Sequence, residues 1–335
     1  MSDAIGSMKA LESVIGKTPP AIGLKVIDHV DATARRWLAA APLMFAGLGD
    51  LTHLSVTLGG GAAGFVQAPE PGVLELSMDD VDDPALFVAD ASFGSLFLIP
   101  GIGETLRING RVAAVADDRA RIAIDECYVH CAKALIRSEF WGAGAQADAP
   151  DDHRAFAAAS RFIALATIDA DGGADLSPKG DPAGTMAGVE GDRLWFADRP
   201  GNRRVDSFRN IIAQPRVAAA LLIPGSTAVM IVDGRAAVTT DAAMREAFAV
   251  RGKTPLLVTR IDTVRMVRRE SAALARAALW PAAAAPADIR PAKMFAEHIR
   301  LNKDKGLGAR IAGAFVSVPG LMQRGLDKDY KDNLY

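Results

Sequence analysis

A chain of 335 residues, 50% of them hydrophobic and 23% charged, has room for about two domains and needs no disulfide or metal to hold a core. Its 38 basic and 40 acidic residues nearly cancel, which removes any chain-wide attraction to nucleic acid or to an anionic membrane. Two cysteines, Cys127 and Cys131, make no disulfide framework, so a reducing, cytoplasmic setting is expected. The first residues lack a basic region followed by an apolar run, and no signal peptide is expected. The most apolar stretch, 217–232, is broken by Pro224 and Gly225 and is too short to span a bilayer.

In chain order, IDHVDATARRWLAAAP (27–42) reads as an amphipathic helix. The pattern then repeats. LFLIPG at 96–101 returns as ALLIPG at 220–225, and each glycine is followed nine residues later by Gly-Arg, at Gly110-Arg111 and Gly234-Arg235. ALIRSEFW (134–141) returns as ALARAALW (273–280), and VTLGGGAAGFV (56–66) returns as LSPKGDPAGTM (176–186). Landmarks kept in the same order indicate an internal duplication. The expected units are 1–145, with its leading helix, and 153–285, followed by a helical tail over 286–335. The Gly-, Ala- and Asp-rich stretch 142–152 marks the boundary between the repeats.

Within the second copy, RFIALATI and DRLWFAD read as short strands, as do RVAAALLIP, TAVMIVDGRAAVT and LLVTRIDTVRMV. DADGGAD has hairpin-turn chemistry, and RRVDSFRNIIAQP reads as a helix ended by Pro215. Mainly β structure is therefore expected, as two small β-barrels with accessory helices.

Chemistry concentrates in the second copy. Ser177-Pro178-Lys179-Gly180-Asp181 and Asp198-Arg199-Pro200-Gly201-Asn202-Arg203-Arg204 are basic and marked by glycine, and the latter opens a helix. Free N–H groups at a helix start attract anions, and guanidinium forks bind phosphate oxygens in pairs. Residues 193–216 carry six arginines and two aspartates. The matching stretch 69–92 carries no basic residue and seven acidic ones, including Asp79, Asp80, Asp82 and Asp83. Lys179 falls opposite Gly59, so an anion site is expected in the second copy alone. Conversely, the first copy has Glu104 to Arg107 where the second has Thr227 to Ile231, and Glu126 to Lys133 where the second has Arg265 to Ala272, with Arg269 opposite His130 and Ala272 opposite Lys133. Polar groups kept at opposite ends of the two copies fit one shared site. Cys127, His130 and Cys131 lack a second ligand pair, so no metal site is expected.

SPKGDP, DRPGNRRVDSFRNI, LIPG, ETLRINGR and ECYVHCAKALIRSEFW together resemble a bacterial branch of the pyridoxamine 5′-phosphate oxidase-like, FMN-binding split-barrel family. The resemblance covers most of residues 40–281. It implies two tandem split barrels forming an intramolecular pseudo-dimer, with one FMN between them. Carried over residue by residue, it assigns the phosphate to Lys179, Arg203 and Arg204, with Ser177 and Asn202 nearby, and runs Ala197 and Asp198 along the flavin. It brings Thr105, Arg107, Lys133, Arg137 and Trp141 from the other repeat. It implies a flavoprotein oxidoreductase acting on a small molecule, without naming a catalytic acid or base; Arg107 and His130 are candidates by position only. The alternative within the family is a non-catalytic flavin or haem carrier, and F420 is a further family ligand. No RLAP-type segment of the oxidases themselves is present, so the expected substrate is another small molecule. Pairing of two such chains stays open.

Overall fold

A computed structural model describes residues 3–201, 204–302 and 321–335. The first repeat comprises β1 (Leu43–Gly49), β2 (Leu54–Gly60), β3 (Gln67–Glu70), β4 (Val73–Ser77), β5 (Ser92–Leu98), β6 (Thr105–Ala116) and β7 (Arg119–His130). The second comprises β8 (Phe162–Ile168), β9 (Ala174–Gly180), β10 (Ala187–Glu190), β11 (Arg193–Ala197), β12 (Arg216–Leu222), β13 (Ala228–Thr239) and β14 (Val258–Glu270). Each set forms one seven-stranded antiparallel sheet. The orders β2-β1-β5-β6-β7-β4-β3 and β9-β8-β12-β13-β14-β11-β10 are the same path traced twice. The duplication seen in the landmarks is thus present in the topology, and the chain is mainly β.

Helices are short: α1 (Met8–Ile15), α2 (Ala32–Leu38), α3 (Lys133–Arg137), α4 (His153–Ala159), α5 (Asp206–Ala213), α6 (Ala242–Ala247), α7 (Ala272–Ala277), α8 (Pro291–Leu301) and α9 (Leu321–Asp332). No helix among the described residues is long and apolar enough to cross a membrane. The helix expected over 27–42 is confined to α2, because the Asp31 carboxylate caps its start by accepting from the Ala34 N–H (2.8 Å) and Pro42 lies just beyond its end.

The unbroken apolar runs are explained by strands buried on both faces. Along β1, Met44, Ala46 and Leu48 join a core inside the first repeat, whereas Leu43 and Phe45 face the second. Along β8, Ile163 and Leu165 join the second repeat's own core, and Phe162, Ala164 and Ala166 face the first. The middle layer, with Leu96, Leu98, Ala218, Ala220 and Leu222, fastens the repeats together. Phe45 packs on Phe162 with ring centroids 5.6 Å apart, and Phe140 meets both Phe162 (5.1 Å) and Trp280 (5.2 Å). Full burial of each such large side chain contributes roughly 1.5–3 kcal/mol, so this interface is a core rather than a contact between independent units.

The two ends cross over. Leu11 of α1 packs in the second repeat's core beside Phe156, and Met294 of α8 packs in the first repeat's core. Ile5 N–H donates to Val238 O (2.8 Å), which ties the leading segment to β13.

Two glycines set how closely the repeats approach near the site. A Cβ on Gly180, at the end of β9, would overlap the Ala134 carbonyl oxygen of α3. A Cβ on Gly60, at the end of β2, would overlap the Ala273 carbonyl oxygen of α7. The two contacts are the same pseudo-symmetric packing seen twice, and each sets a strand end of one repeat against a short helix of the other.

Candidate functional site

A cavity lies at the first of these two junctions. Between β9 and the start of α5 on one side, and the β7 end with α3 on the other, lies a cavity of about 690 Å³. The second repeat lines it with Ser177, Lys179, Ala197, Asp198, Arg204 and Ser207. The first repeat lines it with His130, Cys131, Lys133 and Arg137. Seven residues singled out in the sequence thus converge here from both repeats: Ser177, Lys179, Ala197, Asp198, Arg204, Lys133 and Arg137. Asn202 and Arg203 lie outside the described residues.

Lys179 points into the floor. Its Nζ is 3.3 Å from Ser207 Oγ and 3.8 Å from Asp198 Oδ1, and it lies 5.1 Å from the centroid of the Phe208 ring. Burial lowers the Lys179 pKa and raises that of Asp198, in each case against the pull of the opposite charge. Arg204 pairs with Asp206 at the entry of α5 and stacks on the Tyr128 ring of the first repeat (4.3 Å). From α3, Arg137 donates to Pro200 O and, through Nε, to Leu334 O (2.6 Å), and Lys133 pairs with Asp329 (2.9 Å).

His130 also lines the cavity, with a buried Nδ1 that has no hydrogen-bond partner among the described residues. Burial, reinforced by the charges of Arg107, Lys25 and Arg204, pushes its pKa well below the usual imidazole range. It is therefore a neutral ring at physiological pH, able to donate one hydrogen bond and accept another. Burial likewise raises the Cys131 thiol. Cys131 and Ser207 carried no assigned role in the sequence reading; Cys131 follows the β7 end, and Ser207 stands three residues after Arg204.

Three sequence candidates do not line the cavity. Arg107 is fully buried beneath it, with 0% exposure, and joins the repeats. Its Nη1 donates to Asp175 Oδ2 (2.7 Å) and to Tyr128 Oη (2.8 Å), and its Nη2 donates to Ser177 Oγ (3.0 Å). Asp206 lies 3.7 Å away. Arg107 thereby fixes Ser177 in the floor, a positioning role. Thr105 is buried opposite His130 in the β6–β7 pairing. Trp141 donates to Ile102 O (2.6 Å) and lines a separate shallow depression on the far side of α3 with Glu104 and Tyr330.

At the pseudo-symmetric junction the counterparts lock together instead. The β13–β14 register puts Val229 opposite Arg269, as the β6–β7 register puts Thr105 opposite His130, so Arg269 stands at the His130 position. Met44 pairs with Gly59 as Ile163 pairs with Lys179, so Gly59 stands at the Lys179 position. Arg269 is bidentate to Asp83, with Nη1 donating to Oδ1 at 2.6 Å. Ser271 Oγ donates to Asp82 Oδ2 (2.6 Å), and Ala273 N–H donates to Asp82 Oδ1 (2.8 Å). Arg276 Nε donates to Gly60 O (2.8 Å). The acids that replace the basic segment in the first copy are thus consumed by the second copy's own cation and hydroxyl. This junction presents carboxylates already paired, and an incoming anion would meet no lysine there.

No group of three or more His, Cys, Asp or Glu side chains suited to a metal exists among the described residues. The cavity sets Lys179 and Arg204, with the Ser177 and Ser207 hydroxyls and the Asp198 and Asp329 carboxylates, beside a neutral imidazole and a low-polarity wall from Phe208, Val205 and Pro255.

Residues 149–272 match the family model described as pyridoxamine 5′-phosphate oxidase. No curated protein matches the chain. Among solved structures, HupZ of Group A Streptococcus is 21% identical over 38% of this chain and 90% of its own, with a TM-score of 0.27. An F420 reductase is 16% identical over 35% of this chain and 98% of its own, with a TM-score of 0.27. A putative pyridoxamine 5′-phosphate oxidase from Lactobacillus delbrueckii is 22% identical over 32% of this chain and 84% of its own, with a TM-score of 0.26. The family-model match therefore falls on the second repeat.

Proposed function

We propose that this chain is an FMN-binding flavoprotein and an oxidoreductase acting on a small molecule, with one composite site between repeats 1–145 and 153–285. The observation that carries the reading is the asymmetry between the two junctions. One gathers Lys179, Arg204, Lys133 and Arg137 around a cavity, and the other is closed by Asp82 and Asp83 on Ser271 and Arg269. A volume of about 690 Å³ falls within the usual range of roughly 300–1,000 Å³ for cofactor sites.

The residues present fit the group. A phosphate needs dense cationic and hydroxyl donors, and Lys179, Arg204, Ser177 and Ser207 supply them; Asn202 and Arg203 belong to the same proposed set. The buried, unpartnered His130 Nδ1 supplies a polar contact that a ring heteroatom would satisfy. When bound, the flavin supplies hydride or electron transfer through its ring system. Lys179 and Arg204 hold and neutralise the phosphate. Ala197 and Asp198 form the wall along the ring, and Lys133 and Arg137 close the opposite side. His130 stays neutral and so exchanges a hydrogen bond without adding charge beside the ring.

The test is the absorption spectrum of the purified protein, with mass spectrometry of what heating releases. A flavin spectrum, released FMN and anaerobic bleaching by a reduced nicotinamide are the expected results. A Soret band would replace flavin by haem. A flavin spectrum that no reductant bleaches would make the protein a carrier.

A further inference from the structure

The segment before Tyr335 has no part in the family resemblance, yet it helps to line the cavity. Asp329, Asn333 and Tyr335 all line it. Asp329 pairs with Lys133, whose side chain is 3% exposed. Leu334 O accepts from Arg137 Nε (2.6 Å), and Tyr335 O accepts from Lys253 Nζ (2.8 Å). The Tyr335 ring sits among three guanidinium groups, with Arg251 at 5.4 Å, Arg137 at 5.8 Å and Arg199 at 5.9 Å from its centroid. Tyr330 Oη accepts from Ala132 N–H (3.4 Å) and donates to Glu104 Oε1 (3.0 Å).

These contacts share two properties. They reach both repeats, with Lys133 and Arg137 on one side and Lys253, Arg199 and Arg251 on the other. They are also polar or cation–π contacts at the protein surface; the Asp329 side chain is 41% exposed. A segment held this way opens at far lower free energy than one buried in a core. The cavity keeps its 690 Å³ with the segment seated, so the segment lines the space and does not fill it.

We propose that residues 329–335 form a closing strap over the ligand cavity, latched by Asp329 on Lys133 and by Tyr335 among the three arginines. A ligand enters or leaves only when the strap lifts, and the two latches set how often it does. An anionic ligand loosens the first latch, because Lys133 and Arg137 are the cations that the strap and the ligand both face. The inference rests on reading the cavity as a ligand site and does not depend on the ligand being FMN.

Cys131 supplies a test that needs no ligand. It lines the same cavity, whereas Cys127 is fully buried in the first repeat's core. Alkylation of the folded protein by N-ethylmaleimide, followed by mass spectrometry, therefore reports access to the covered space, and Cys131→Ser confirms the labelled position. Replacing Asp329 by Ala together with Tyr335 by Leu should accelerate Cys131 labelling about tenfold, the effect of losing one charge-assisted contact from a segment that opens locally. Asp329→Glu, which keeps the ion pair, should leave labelling slow. Equal labelling rates in the wild type and the double variant would overturn the strap. The same samples are labelled with FMN present. Faster labelling in the variant without FMN protection in the wild type would uphold the strap and reject the flavin. FMN protection with unchanged rates would uphold the flavin and reject the strap.

Discussion

Replacing Lys179 and Arg204 together by alanine is expected to weaken FMN binding by about a thousandfold. Each hydrogen bond to a charged group contributes roughly 1.5–3 kcal/mol, and the pair removes two cationic arms facing the proposed phosphate. The loss should appear for FMN and much less for riboflavin, which has the ring but no phosphate. Equilibrium fluorescence titration of both ligands separates the two. Equal weakening of both would mean that the substitutions damaged the cavity and not a phosphate contact. Unchanged FMN affinity would remove the phosphate from this floor. Arg204 also carries a contact to the Tyr128 ring, so part of its effect comes through the first repeat.

The second large effect concerns Arg107. Its guanidinium is buried and holds Asp175 across the junction. Arg107→Met leaves the Asp175 carboxylate buried without its cation, at a cost of about 3–5 kcal/mol in unfolding free energy. Adding Asp175→Asn should return part of it, because the orphaned charge is gone. Burial already raises the Asp175 pKa, and losing Arg107 raises it further. A carboxyl raised on folding binds more protons folded than unfolded, so the variant loses stability as pH rises through the Asp175 range and regains it in acid. Chemical denaturation across pH measures both effects. A change below about 1 kcal/mol at neutral pH would show that Asp175 is solvated and that Arg107 does not bind the repeats together.

The sequence disclosed what depends on local pattern and on comparing one half of the chain with the other. The doubled landmarks announced two copies, and the apolar run RFIALATI announced a short strand. The contrast between Lys179 and Gly59 pointed to one anion site. Other features depend on partners far apart in the chain and left no local trace. Asp83 reads as one more acid in an acidic stretch until Arg269 arrives from 186 residues away. Arg107 belongs to a motif that suggested a ligand contact, but its alternation along β6 turns it inward onto Asp175 and Tyr128. Trp141 lies beyond the end of α3, past the left-handed backbone of Glu139 (φ 47°), and turns to the other side of that helix. The strap has no counterpart in the other copy, so comparing the halves gave no hint of Asp329 on Lys133.

Calorimetric titration of the purified apoprotein with FMN, on the wild type and on two single variants, tests the composite site most directly. Lys179→Ala alters the later repeat's contribution, and Arg137→Ala alters the earlier one's. One FMN per chain is predicted, with affinity reduced by each substitution alone. Two FMN per chain, or an Arg137→Ala protein that binds as tightly as the wild type, would contradict a single site shared by both halves.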